Sequence, residues 1–262
     1  IQYMKQYARF RKRQAVEIAE KTVLLQDLNT TLIAQREQKK KLISENRVAQ
    51  QTLKKERRQQ QSMIQQLRRK SRSLTAQIRK KQQQSDAIDQ EIQRLIREAI
   101  AASNKKAGKK TKATFAMTPD EKLIASNMEA NRGRLPWPVV DGVITQRFGT
   151  QPHPVVRTTM IKSTGITIAT ASESDARAVF EGEVMSILSF KGSNPTVLVK
   201  HGNYITAYKN LGKVYVKKGD KIKTKQAVGQ VFTNPVDGKT SLQFSLFQAS
   251  KPQNPKLWLA RL

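Results

Sequence analysis

Between residues 25 and 95 the chain repeats apolar positions with a seven-residue period. Paired registers of this kind are typical of the a and d positions of a coiled coil. Polar residues such as Lys39, Asn46 and Glu56 interrupt both registers, so the predicted coiled coil is imperfect. One register contains Leu25, Leu32, Leu53, Leu67, Leu74, Ile88 and Leu95, and the second contains Leu28, Leu42, Ala49 and Met63.

The same region lacks residues that would break a helix, since no glycine precedes Gly108 and no proline precedes Pro119. Residues 1–103 are therefore predicted to form one long helix, rising about 1.5 Å per residue. A single helix cannot bury its own apolar stripe. We expect a partner helix, either in another chain or, as we favour, in an upstream segment missing from this sequence. The first residue is Ile and no signal peptide precedes it, which favours a fragment or a processed form.

Residues 104–133 are predicted to contain a basic linker and a short helix. The stretch NKKAGKKTKATFAMTP has the composition of a linker. It runs into TPDE (118–121), in which Thr is placed to cap a helix, Pro to begin it and Glu to complete a capping box. We expect the helix to carry Leu123, Ile124 and Met128 on one face and to end near NRGR.

Residues 134–262 alternate apolar and polar positions in short runs separated by Gly, Asp, Asn or Pro. This pattern predicts an antiparallel sandwich or barrel-like sheet. The whole chain is therefore expected to be an α+β multidomain protein, with a long α-helical coiled coil followed by an antiparallel β-sheet domain. The predicted strands lie in GVITQRFG, TGITIA, GEVMSILSF, PTVLVKHG, YITAYKNL, VYVKKGDKIK, AVGQVF and SLQFSLF.

Composition adds a strong positive charge. The 262 residues include 49 Lys and Arg against 20 Asp and Glu, a formal net charge of +29. This balance favours an anionic partner, such as nucleic acid, an anionic membrane, or an acidic glycan or protein surface. The basic residues are spread around the faces of the predicted helix, which indicates a solvated coiled-coil surface rather than a DNA-binding basic zipper. The chain has no cysteine, which excludes disulfides and thiolate zinc sites.

Four segments of the strand-rich region resemble a known family. LPWPVVDGVITQRFG, TVLVKHGNYITAYKNL, VKKGDKIKTKQAVGQV and TSLQFSLF, followed by NP, are similar in order and spacing to the motifs of LytM-type (lysostaphin-like) zinc metallopeptidase domains. The resemblance implies a LytM-type fold for residues 134–262. In an active domain of this family, zinc is held by an HxxxD motif and by the second His of an HxH motif. Two further His residues assist the metal-bound water.

The corresponding positions of this chain depart from the family pattern. Hydroxyl and amide groups are poor zinc ligands and cannot serve as general bases. The two histidines of the chain, His153 and His201, do not fall on the family's ligand positions. We therefore expect a degenerate domain without metal, cofactor, catalytic residue or enzyme activity. The residues at the former ligand and catalytic positions are Ser163, Thr167, Asn210, Ser241 and Gln243.

A long coiled coil joined to a degenerate LytM-type domain resembles the murein hydrolase activators of the EnvC kind. The similarity extends to TPDEKLIASNMEANRGRLPWPV and to NPKLWLAR. It implies a bacterial periplasmic protein that activates N-acetylmuramoyl-L-alanine amidases in cell division. The coiled coil would dock on the extracytoplasmic part of an FtsEX-like ABC-transporter complex, and the former catalytic groove would bind a regulatory helix of the amidase. By position, the residues expected to line that groove are Thr164, Thr167, Ser193, Tyr208, Gln243 and Phe247, with Tyr208 and Phe247 as anchors.

The resemblance also implies an autoinhibitory helix that covers the groove. The candidate is residues 85–103, with the alternative that this stripe is only the last part of the coiled coil. If the segment is autoinhibitory, replacing Ile92 and Leu95 by Glu is expected to raise amidase activation. The apolar stripe of the candidate contains Ile88, Ile92, Leu95, Ile96 and Ala99.

Three alternative functions stay open at this point. The charge is compatible with a polyanion-tethering or nucleic-acid-binding envelope protein, although nucleic acid is not expected because clustered aromatics and a recognisable binding module are missing. The groove would also suit a non-catalytic peptidoglycan-binding module. The third alternative is an active peptidase with unusual ligands, which a metal analysis would test.

Overall fold

The structure is a computed structural model that describes residues 2–108, 114–154, 156–190 and 192–260. The chain divides into two compact units, residues 1–72 and residues 73–262. Helix α1 spans Gln2–Lys106, so the predicted long helix is confirmed. The unit that contains the β-sheets begins inside this helix, well before the predicted domain boundary at residue 134.

The first unit consists of the N-terminal part of α1. The apolar a and d positions predicted in this part are exposed, since Leu25, Leu32, Leu42 and Leu53 each keep more than half of their accessible surface. In proteins the packing of an apolar face supplies most of the stability of a helix. The helix is present as predicted, while its pairing into a coiled coil stays a prediction.

Helix α2, Pro119–Ala130, begins with the predicted capping box. The Thr118 hydroxyl accepts from the Glu121 N–H, and the Thr118 N–H donates to the Glu121 carboxylate at 2.9 Å. Of the residues predicted to share one face of this helix, Met128 is buried but Leu123 is exposed, and Ala125 is buried instead. The reason is a close approach at Gly202, where an added Cβ would lie 2.8 Å from the Ala125 Cβ. Residues 109–113 of the predicted linker lie outside the described residues.

The strands of the second unit are short and lie between Val143 and Gln253. The eight predicted segments all contain strand. Five further strands were not predicted, because segments such as GTQP and DAR carry no apolar alternation. They are Gly149–Pro152, Met160–Ser163, Asp175–Arg177, Leu211–Val214 and Lys251–Gln253. A 3-10 turn, Pro255–Leu257, follows the last strand. The strands are β1 Val143–Gln146, β2 Gly149–Pro152, β3 Met160–Ser163, β4 Gly165–Thr170, β5 Asp175–Arg177, β6 Gly182–Leu188, β7 Thr196–His201, β8 Tyr204–Lys209, β9 Leu211–Val214, β10 Lys221–Ile222, β11 Ala227–Val231, β12 Thr240–Gln248 and β13 Lys251–Gln253.

Within the described residues these strands form three sheets. The main sheet has the order β1-β4-β12-β8-β7-β6-β10, with β13 paired to β12. A smaller sheet has the order β5-β11-β9, and β2 pairs with β3. All of these strand pairings are antiparallel, as predicted.

One face of the main sheet forms the core. The register places Phe244 of β12 between Ile166 of β4 and Tyr208 of β8, and Tyr208 in turn opposite Val197 of β7. These four side chains are at most 2% exposed and belong to one apolar cluster. Because side chains alternate along a strand, the residues between them lie on the opposite face of the sheet.

A buried histidine lies within this core. The Nδ1 atom of His201 lies 2.6 Å from the Glu181 carbonyl oxygen, and its Nε2 atom lies 2.9 Å from Thr206 Oγ1. A carbonyl oxygen only accepts, so Nδ1 carries the proton and Nε2 accepts from the threonine hydroxyl. Burial lowers the pKa of His201 to about 4, which keeps the imidazole neutral in the folded chain.

The buried His201 predicts a pH-dependent stability. An unfolded histidine has a pKa of about 6.5, so between this value and about 4 the unfolded chain binds more protons than the folded chain. The contribution of His201 is therefore complete above about pH 6.5 and is lost as the pH falls towards 4. We expect His201→Gln to be less stable at pH 7, and its deficit to shrink by about 2 kcal/mol at pH 4.5.

Denaturant unfolding of both proteins at the two pH values measures this difference. Carboxylates that titrate in the same range affect both proteins alike, so the difference between the two profiles isolates the imidazole. Parallel profiles would contradict the assignment.

Candidate functional site

The face of the main sheet opposite the core forms a groove that changes from polar to apolar along the strands. One row across the sheet consists of Thr167, Gln243, Lys209 and Thr196, which are paired in register on neighbouring strands. The next row contains Gly165, Ser245, Ala207 and Leu198, and beyond it Phe247 pairs with Ile205. We call the first row, with the adjacent Ser163 and Thr164, the polar end of the groove. The apolar end consists of Leu198, Ile205, Ala207 and Phe247.

Residues 85–103 of α1, the covering segment, pack on this groove. Ile92 and Ile96 are completely buried and Ile100 is 5% exposed. They form one apolar cluster with the four residues of the apolar end. Residues four apart lie on the same face of a helix, so the three isoleucines present one stripe to the sheet. Burying each of them stabilises the packed state by about 1.5–3 kcal/mol.

The N-terminal part of the covering segment makes polar contacts with the polar end. The Asp89 carboxylate forms an ion pair with the Lys209 ammonium group, and it accepts a hydrogen bond of 2.7 Å from the Thr164 hydroxyl. Asp89 and Lys209 are 8% and 6% exposed, so the pair is buried. Two turns earlier, and just before the covering segment begins, Gln82 donates to the Lys162 carbonyl oxygen at 2.9 Å. The helix and the groove therefore match in polarity from one end to the other.

The C-terminal end of the covering segment is tied to the returning chain. The Ser103 hydroxyl donates to the Ala116 carbonyl oxygen at 3.0 Å, and the Asn104 amide donates to the Thr114 carbonyl oxygen at 3.1 Å. Phe115 is 5% exposed and belongs to the same apolar cluster as Ile96. This end of the helix is held by backbone contacts as well as by packing.

The five former ligand positions lie at the polar end of the groove and beside it. The side chains of three of them form hydrogen bonds with nearby backbone or with a side chain outside the set. Thr167 Oγ1 donates to Gln146 Oε1 at 3.2 Å, and Ser163 Oγ donates to the Gly165 carbonyl oxygen at 3.0 Å. The Asn210 amide donates to the Ser241 carbonyl oxygen at 2.7 Å.

Asn210 has an additional structural role. Its φ of +69° lies in the left-handed region, which asparagine tolerates better than most residues. The Asn194 amide donates to Asn210 Oδ1 at 2.6 Å, so both ends of the Asn210 amide are used. The residue terminates β8 and fixes the following turn.

The donor set at these positions does not fit zinc. It offers hydroxyl and amide groups where zinc prefers imidazole, thiolate or carboxylate. Among the described residues no group of three or more His, Cys, Asp and Glu is placed to hold a metal ion. His201 lies in the core, and the His153 ring nitrogen Nδ1 accepts from the Val156 N–H at 3.2 Å.

The predicted groove residues have different positions in the structure. Thr164, Thr167 and Gln243 line the polar end, and Phe247 lies at the apolar end beneath the covering segment. Ser193 lines a neighbouring polar cleft together with Asn210 and Ser241.

The prediction that Tyr208 anchors a partner needs correction. Tyr208 is fully buried in the core, and its hydroxyl accepts from the Val179 N–H at 2.9 Å. Burial raises the pKa of Tyr208 to about 12. The cause is strand alternation, because Ala207 and Lys209 point into the groove and Tyr208 must then point away from it.

The structure also shows which residues of the predicted autoinhibitory stripe face the groove. Ile92 and Ile96 face the groove and Ile88 packs at the edge of the cluster, whereas Leu95 is only half-buried. Sequence reasoning missed Asp89 and Lys209. The signal available for Asp89 was an acidic residue three positions before Ile92 on an otherwise apolar stripe.

Residues 161–255 match the family model of peptidase family M23. The second unit therefore contains a domain of this class, as the motif resemblance predicted. The chain is also 26% identical over 168 residues to the murein hydrolase activator EnvC of Escherichia coli (strain K12). That similarity covers 63% of this chain and 38% of EnvC, so the chain spans well under two thirds of the length of this relative.

Two solved structures align with about half of this chain. Helicobacter pylori Csd3 is 23% identical, with 49% of this chain and 35% of that chain covered and a TM-score of 0.41. A zinc-containing peptidase from Vibrio cholerae is 23% identical, with coverages of 48% and 40% and a TM-score of 0.41. Among the described residues no helix is long and apolar enough to cross a membrane.

A close approach beneath the groove predicts the effect of a small substitution. A Cβ at Gly165 would lie 2.1 Å from the Phe244 carbonyl oxygen and 2.4 Å from Ser245 Oγ. Gly165→Ala is therefore expected to lower the free energy of unfolding by about 2–3 kcal/mol. At Gly212 the nearest atom to an added Cβ is 3.5 Å away, so Gly212→Ala is the matched control. Equal stability of the two variants in denaturant unfolding would refute the close approach.

The donor set predicts that the protein does not retain zinc. After dialysis against micromolar zinc at pH 7.5, metal analysis is expected to find far less than one equivalent per chain. Removal of metal with EDTA should leave the melting temperature unchanged, since no bonds to metal contribute to folding. A stoichiometric zinc content, or a melting temperature that falls with EDTA, would contradict this prediction.

Proposed function

We propose that this protein is a non-enzymatic activator of N-acetylmuramoyl-L-alanine amidases, and that its groove binds a regulatory helix of the amidase. The proposal rests on one observation: an amphipathic helix packs on the groove that contains the family's zinc-binding positions, and in this chain those positions hold only hydroxyl and amide side chains. A helix lying in an apolar groove is a recurrent mode of protein recognition. Residues 85–103 supply such a helix within the chain, so the groove has the dimensions and polarity that a helix requires.

The covering segment would then be autoinhibitory. An amidase helix and residues 85–103 would compete for the same apolar end, and activation would require release of the covering segment. The close match between Ile92, Ile96 and the groove supports this role, because a helix continuing only as part of a coiled coil would have no reason to fit the sheet.

The similarity to the E. coli murein hydrolase activator supports a related role in the cell envelope. We propose that the protein acts in the bacterial periplasm, at the division site. The exposed apolar positions of residues 2–72 would pack against a partner helix. This part of the chain would also dock on the extracytoplasmic part of an FtsEX-like ABC-transporter complex. Peptidoglycan is a further ligand that we propose for the domain.

A second candidate function follows from the net charge of +29. A non-catalytic peptidoglycan-binding or polyanion-tethering protein would bind its ligand with a steep dependence on salt. Sedimentation of the full chain with purified sacculi at 50 and 300 mM salt, without amidase, tests this function separately.

Dye release from labelled sacculi tests amidase activation directly. The protein alone is expected to release no dye, the amidases of the same organism alone to release little, and the mixture to release several-fold more. Release by this protein alone would overturn the proposal, and so would an equal rate with and without it for every amidase tested.

Ile92→Glu combined with Ile96→Glu tests the covering segment. Two carboxylates cannot remain in the apolar cluster without a large desolvation penalty, so the segment should leave the groove. We expect several-fold higher activation than with the unaltered chain, and faster backbone hydrogen exchange in residues 85–103. Arg97→Glu, on the exposed face of the same helix, is the control. Unchanged activation despite faster exchange would contradict the autoinhibitory role.

A further inference from the structure

The polar end of the groove contains a buried cation that needs a carboxylate. Lys209 lies on the groove face of β8, is 6% exposed, and pairs with Asp89 of the covering segment. A buried ammonium group is costly unless it is paired and hydrogen-bonded, and removing one partner of such a pair is strongly destabilising. Any helix that replaces the covering segment over Lys209 faces the same requirement.

The sheet side of the groove cannot meet this requirement itself. In the pocket that Lys209 shares with Lys162 and Thr164, Asp89 is the only carboxylate among the described lining residues, and it leaves with the covering segment. Asp237 lines the adjacent cleft and forms an ion pair with Lys239 at 3.6 Å. Lys162 and Lys209 remain on the sheet side, together with neutral hydroxyl and amide groups. The uncovered groove is therefore cationic at one end and apolar at the other.

The covering segment gives the spacing of a suitable occupant. Asp89, Ile92, Ile96 and Ile100 are separated by three, four and four residues, which places them along one face of a helix. The carboxylate lies one turn before the first of three apolar anchors. Since the polar and apolar ends of the groove differ, this order also determines the direction in which the helix lies.

We propose that the groove selects a partner helix that carries an Asp or Glu one turn before its apolar anchors, and that this carboxylate replaces Asp89 on Lys209 and Thr164. The inference rests on the proposed function, because it specifies the chemistry of the helix that the groove receives. Lys209 is then a specificity-determining residue. A helix with equally good apolar anchors and no carboxylate at this position would bury the Lys209 ammonium group unpaired and would bind more weakly.

Peptides of residues 85–103 provide the probe, and the full chain opened by Ile92→Glu and Ile96→Glu provides the receptor. Three labelled peptides are compared by fluorescence anisotropy: the unaltered sequence, Asp89→Asn, and Asp86→Asn. Asp86 is exposed in the structure, so the last peptide is matched in charge and composition. We expect the unaltered and Asp86→Asn peptides to bind alike, and the Asp89→Asn peptide at least tenfold more weakly.

The same peptides on a receptor that also carries Lys209→Met complete a double-mutant cycle. The advantage of the unaltered peptide over Asp89→Asn is expected to disappear on this receptor. A receptor that carries Thr164→Val instead lacks only the hydrogen bond from Thr164 to the peptide carboxylate, so we expect the unaltered peptide to lose a smaller part of its advantage. This receptor replaces the Lys209→Met receptor if the Lys209→Met protein does not unfold cooperatively.

Each outcome of this experiment decides the proposal. Equal binding of the Asp89→Asn and unaltered peptides would overturn it, and so would failure of the unaltered peptide to bind the opened receptor at 100 µM or below. If the Asp89→Asn peptide binds more weakly as expected and no amidase is activated in the dye-release assay, the requirement of Lys209 for a carboxylate is supported and the proposed function is wrong. The two failures are therefore distinguishable.

Discussion

The antiparallel register of β4, β12, β8 and β7 is the constraint on which both faces of the domain depend. Side chains alternate along each strand, so a shift by one residue in any pairing would exchange the core face with the groove face. The register that packs Phe244 between Ile166 and Tyr208 also aligns Thr167, Gln243 and Lys209 in one row. The stability of the core and the chemistry of the groove are thus fixed by the same backbone hydrogen bonds.

A positive charge still lies among the former ligand positions, although the donor set does not fit a metal ion. It is the Lys209 ammonium group, adjacent in sequence to Asn210 and bonded to a carboxylate from the helix above it. In a zinc-binding domain the charge of the metal ion would be balanced by ligands that are fixed in the sheet. The lysine is instead neutralised by a removable element, so the electrostatics of the groove depend on which helix covers it.

The sequence predicted the long helix, the capping box at Thr118 and most strands, because these depend on local periodicity and turn chemistry. The motif resemblance also singled out Ser163, Thr167 and Gln243, which lie at the polar end, and Thr167 and Gln243 are paired in register. It misplaced Tyr208, because the face on which a strand residue lies depends on the pairing of its neighbours. It missed the contact of Asp89 with Lys209, which joins residues 120 positions apart and has no local signature.

The covering segment and the groove belong to the same polypeptide, and residues 104–118 join that segment to α2. Linking two binding elements in this way gives an effective concentration in the millimolar range, which a separate partner must exceed in affinity or in number. Competition within one chain leaves the response to partner concentration hyperbolic, but it raises the concentration needed for half-occupation in inverse proportion to the fraction of chains whose groove is open. Any change that weakens the contacts of residues 85–103 with the groove would therefore lower that concentration, even at constant partner abundance.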